Sequence, residues 1–162
     1  PLLLRRALDH GVRAVVAHCG SMGQDRDIDK GENGPYVDSF ELFARLMDDP
    51  VYGPKLNGDI SAMTQLNRAG PALETVLLRE DWHARLHNGS DYPLPGVMPL
   101  FSVTYMVQLG LIPETAVPVL TEIRKHNPLL FDFVLKRHLS FKGKRFAKSV
   151  FETRRFFEMK KI

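Results

Sequence analysis

At 162 residues, 44% hydrophobic and 25% charged, the chain is long enough for one buried core, and its composition excludes disordered and fibrous classes. No apolar run approaches the roughly 18–20 residues that span a bilayer, and no signal peptide is read, because Leu2-Leu3-Leu4 runs at once into Arg5-Arg6. Cys19 is the single cysteine, so no intrachain disulfide forms, and a reducing, cytoplasmic setting is expected.

The net charge of +3 divides unevenly, with +8 in residues 136–162 and −5 in the rest. Pro1 to His10 reads as the end of a helix closed by Gly11. Val12 to Ala17 is a nearly continuous apolar run, the pattern of a strand covered on both faces. Cys19 to Asp38 reads as a long polar loop, of a length usually functional or mobile. Its acids Asp25, Asp27, Asp29 and Glu32 lack the turn glycine and closing glutamate of a calcium loop. Ser39 is expected to cap a helix running to Met47, with Phe40, Phe43, Ala44 and Met47 on the apolar side, and Asp49-Pro50 ends it. Strands are expected over Leu56–Ser61 and Arg85–Ser90, on either side of a helix from Pro71 to about Arg79. Helices follow over Leu100–Leu109, Glu114–Lys125 and Pro128–His138.

The basic end, residues 136–162, interleaves Phe141, Phe146, Phe151, Phe156 and Phe157 with its cations. Basic and aromatic residues together can bind nucleic acid. Their helical spacing favours instead an amphipathic helical tail, with Phe146, Val150 and Phe157 on one face and Lys148, Glu152 and Arg155 facing water. Strands alternate with helices and no hairpin turn joins them, so the expected fold class is α/β with about three parallel strands joined by crossover helices.

Two residues carry chemistry. Asp91 ends the run Leu86-His87-Asn88-Gly89-Ser90-Asp91 just before Tyr92-Pro93, and His18 ends Val12-Arg13-Ala14-Val15-Val16-Ala17-His18. Catalytic groups of barrel enzymes collect at the carboxyl ends of parallel strands, and a carboxylate and an imidazole at such ends suggest metal-assisted hydrolysis. Val15-Val16-Ala17-His18-Cys19-Gly20, Asn57-Gly58-Asp59-Ile60-Ser61 and Asn88-Gly89-Ser90-Asp91-Tyr92-Pro93, in that order, resemble the last three barrel strands of the amidohydrolase superfamily, in its branch of metal-dependent hydrolases and decarboxylases. Asn127-Pro128-Leu129-Leu130-Phe131 is similar to the Asn-Pro helix start that follows the eighth strand there. The resemblance implies a partial (β/α)8 barrel over residues 1–135 with a helical extension over 136–162. It implies that Asp91 binds a divalent metal, zinc first, and shuttles a proton for the metal-bound water. It further implies that His18 polarises substrate, assists proton transfer or binds a second ion. A bound divalent cation lowers the pKa of water toward about 7, and an adjacent carboxylate can accept its proton.

The pattern is incomplete. The family supplies further metal ligands from a His-x-His on the first strand and a His or modified Lys on the fifth, and no His-x-His occurs here. His83 and His87 are four apart but straddle an expected strand start, with no Glu between them as a zinc-binding helix pair would have. His87 and Asp91 on one strand would stand about 13 Å apart, too far for one ion. Cys19 is expected to pack, since adjacent strand residues point to opposite faces and a Cys–His pair needs contact.

The sequence therefore reads as the carboxyl-terminal portion of a metal-dependent hydrolase acting on a small-molecule substrate, inactive by itself. Its expected partner is a second copy or the missing amino-terminal half. A non-catalytic interaction module and a nucleic-acid binder through residues 136–162 are the alternatives.

Overall fold

The structure is a computed structural model that describes residues 2–158, apart from the Arg155 side chain. Its mixed α/β chain divides into two compact units, Pro1–Ile60 and Ser61–Ile162.

In the first unit, helix α1 spans Leu2–Asp9 and buries Leu8, and Gly11 turns the chain with a positive φ of 79°, as the expected helix stop requires. Strand β1 is only Ala14–Val16. It pairs in parallel with β4, Leu56–Asp59, with Val15 opposite Asn57 and Val16 opposite Gly58. The expectation that β1 is covered on both faces needs correction, because Val15 is 39% exposed.

The expected polar loop is partly ordered. Strands β2 (Gln24–Arg26) and β3 (Tyr36–Asp38) form an antiparallel pair within it. The strands expected from sequence are not themselves joined by a hairpin, but this additional antiparallel pair lies inside the expected loop, and the reason it was not expected is physical. Gln24-Asp25-Arg26 is polar and shows no apolar alternation, so periodicity could not reveal it. Helix α2, Ser39–Asp48, is capped by Asp38, whose carboxylate accepts the Phe40 N–H, and not by Ser39. Asp and Ser are near-equal caps, and the strand ending at Asp38 decides between them. The helix buries Leu42, Phe43, Leu46 and Met47, each contributing on the order of 1.5–3 kcal/mol. Phe40 and Ala44, expected on the apolar side, are only half-buried.

The second unit is mainly helical. Helix α3 is Pro71–Leu78, and a 3-10 helix, Glu80–Arg85, leads into β5, which shrinks to Leu86–His87. Helices α4 (Val103–Gln108), α5 (Val117–His126) and α6 (Pro128–His138) follow. Helix α6 has the bounds read from sequence: Pro128 occupies its first turn and the Asn127 side chain accepts the Leu130 N–H. Arg124 of α5 lies 5.1 Å from the Phe131 ring centroid and donates to the carbonyls of Phe101 and Val97, both at 3.0 Å.

The tail is not one amphipathic helix. After α6, Phe141 and Lys144 form a two-residue bridge, Lys148–Phe151 is a 3-10 turn, and α7 is only Arg154–Phe157. Phe146 and Val150 are buried while Phe157 is 67% exposed, so the expected common face is broken. Lys142-Gly143 causes the break, since both adopt positive φ. The expected outward face of Arg155, and residues 159–162, lie outside the described residues.

Candidate functional site

His18 lies two residues past β1, in the short turn Ala17–Gly20. Its φ is 55° and that of Cys19 is 52°, a left-handed pair that L-residues with a Cβ adopt only under strain. The chain therefore leaves the strand before His18, contrary to the strand-end reading. The turn brings the imidazole to the end of the neighbouring parallel strand, with His18 Nδ1 4.0 Å from Asp59 Oδ2. Both side chains are about one-fifth exposed, so the pair is reachable from water. The separation exceeds a hydrogen bond and makes an ion-pair contact when the imidazole is protonated.

Cys19 points inward. Its thiol is fully buried and donates to the Asp59 main-chain carbonyl at 3.4 Å. Burial, helped by the Asp59 charge, pushes the thiol pKa well up, and a thiol held protonated is a poor nucleophile. Packing is its role, although the turn, and not strand alternation, separates it from His18.

Asp91 lies in the second unit, four residues beyond β5, and is half-buried with φ 55°. Its carbonyl accepts the Leu94 N–H at 3.0 Å, and the peptide after Tyr92 is cis. The turn is tied at two earlier points. The Asn88 N–H donates to the Val150 carbonyl at 2.8 Å, and the Gly89 carbonyl accepts from Lys136 Nζ at 2.7 Å.

Four of the other five histidines, His83, His87, His126 and His138, have contacts of their own. His83 is buried in the 3-10 segment and His87 in β5, so they do not share a helix face. The His87 ring packs 4.1 Å, centroid to centroid, from Phe156. His126 meets Glu122 at 3.0 Å, and His138 Nδ1 meets the Val134 carbonyl at 2.8 Å. In the expected loop, Asp27 is paired to Arg45 and Asp29 to Arg5. These guanidiniums draw both carboxyl pKa values below the ordinary range, and cations already hold the acids a calcium ion would need. A surface cleft of about 540 Å3 opens beside Arg5, Asp29, Glu41 and Arg45, and neither His18 nor Asp59 lines it.

Among the described residues no group of three or more His, Cys, Asp and Glu side chains is placed to hold a metal ion. Zinc takes four protein ligands in a closed site and three in a catalytic one, and no such set is assembled among the described residues. Asp59 is the residue missed from sequence as the partner of His18, although it stands in the Asp-x-Ser run. No helix among the described residues is long and apolar enough to cross a membrane. A scan against protein-family models, a search of curated proteins and a search of solved structures each returned no match.

Proposed function

We propose that this chain is the carboxyl-terminal portion of a metal-dependent hydrolase of the amidohydrolase type, with a (β/α)8 barrel as the intact fold. The intact enzyme would cleave a C–N or C–O bond of a small molecule, or carry out a related decarboxylation. The observation that carries the reading is the position of the strained residues. Each strand resembling the family's last three is followed within four residues by a left-handed residue other than glycine: His18 after β1, Ala62 after β4 and Asp91 after β5. Such strain costs of order 1–3 kcal/mol and gathers where chemistry needs a side chain held in one place. Two of the three residues are those the sequence singled out.

The chain's own groups have definite capacities. His18 has the Asp59 carboxylate 4.0 Å from Nδ1, and an imidazole is a group that can accept and return a proton. Asp91 offers a proton-accepting carboxylate. A divalent ion such as zinc would supply activated water in the intact enzyme, and this chain would contribute Asp91, and His18 in a two-ion centre, to its ligands. Strands outside this chain would provide the rest.

The purified 162-residue chain should bind zinc weakly and show no turnover in an ester and amide hydrolysis screen. A sub-micromolar site with turnover would contradict the claim that the centre is incomplete. A second reading, a non-catalytic interaction module, is favoured by the lack of a three-donor group among the described residues. If the chain joined to its complementing strands stays inactive and metal-free, that reading replaces the first.

A further inference from the structure

Helix α6 places Asp132 and Lys136 one turn apart, and their side chains are 2% and 1% exposed. Lys136 Nζ donates to Asp132 Oδ2 and to the Gly89 carbonyl, both at 2.7 Å. A buried ion pair is weak evidence for stability, because apolar residues of similar volume often serve as well or better. What an apolar pair could not do is reach across 47 positions of sequence to hold one main-chain oxygen. That oxygen belongs to Asn88-Gly89-Ser90-Asp91, whose residues favour many turn conformations when left alone. Asp91, two positions on, adopts a left-handed φ that persists only where the surroundings over-determine it.

We propose that Lys136 is a positioning residue for Asp91: its buried ammonium, oriented by Asp132, pins the Gly89 carbonyl and so holds the turn that presents the Asp91 carboxylate. The inference rests on the reading of Asp91 as a functional group. In this role Lys136 acts through the Gly89 carbonyl and not on substrate.

The test is NMR on the isotopically labelled 162-residue chain. In the unmodified protein the Lys136 ammonium should give a slowly exchanging signal with a coupling across the hydrogen bond to the Gly89 carbonyl carbon. Absence of that coupling overturns the proposal without any mutant. The double variant Lys136→Met/Asp132→Leu replaces the pair with apolar groups. It should fold, while the Asp91 Cα and Cβ shifts leave left-handed values and amide exchange over residues 89–91 quickens at least about tenfold. A folded double variant with unchanged Asp91 signals would show a merely structural pair and overturn the proposal. Failure of the hydrolase reading would show elsewhere, as metal binding indifferent to Asp91→Asn, and would leave these spectra as they are.

Discussion

The Ala147 N–H donates to Nδ1 of buried His83 at 3.1 Å, while His83 Nε2 lies 3.0 Å from the Val76 carbonyl. The acceptor role of Nδ1 places the ring proton on Nε2, so one neutral imidazole joins helix α3 to the start of the tail. His83→Leu keeps the bulk but strands a donor and an acceptor in the interior. It should lower stability by about 1–3 kcal/mol for the unsatisfied groups. Urea unfolding checks this, and an unchanged midpoint would show that the tail is not held there.

The Asp27–Arg45 pair, 2.9 Å at its shortest, predicts an acid limb of stability in the first unit. The Arg45 guanidinium lowers the Asp27 pKa below its unfolded value near 3.8. The unfolded chain then binds the proton first on acidification. The pair's contribution is complete above that value and is lost as pH falls through the lower folded one. Asp27→Asn should flatten the dependence of the urea midpoint on pH below about 4 and leave its slope near neutrality unaltered.

Lys142 and Gly143 both have positive φ, 48° and 78°, between the bridged residues Phe141 and Lys144. That is the geometry of a type I′ hairpin turn, for which Asn-Gly is the favoured pair. Lys142 is exposed, so Lys142→Asn forfeits little packing. It should raise stability by about 0.5–1 kcal/mol, read as a higher thermal midpoint.

A sheet with an open edge should also associate. Among the described residues β1 has β4 on one side and no strand on the other, and an unpaired edge is a template for another chain. Light scattering should show a mass that rises with concentration, and Val15→Lys, placed on the exposed edge strand, should lower it. A constant monomer mass across a wide range would count against the open edge.

How much could be read from the sequence varied with the signal each element carried. Helix α6 was legible to the residue because Asn127-Pro128 states its start and apolar periodicity sustains it. The hairpin of β2 and β3 was hidden by its polarity, and β5 was overestimated because only Leu86-His87 is strand, while Asn88-Gly89-Ser90 belongs to a turn fixed from outside. Asp91 and His18 were found by residue type at the ends of strand-like runs. Their left-handed backbones were not legible, since nothing in Ala17-His18-Cys19 announces φ above zero. The contact of His18 with Asp59 depends on β1–β4 register, which only pairing sets. Lys136 and Asp132 showed a readable i,i+4 spacing, but the Gly89 carbonyl they hold is a tertiary fact.

The most direct measurement is zinc titration by calorimetry of the chain joined to complementing barrel strands of the kind proposed above, compared with its Asp91→Asn and His18→Ala variants. The account predicts a tight site and hydrolytic turnover in the joined protein. Asp91→Asn should weaken binding by about 10–100-fold or more and abolish turnover, and His18→Ala should reduce turnover. Equal zinc affinity and equal turnover in all three proteins would contradict it.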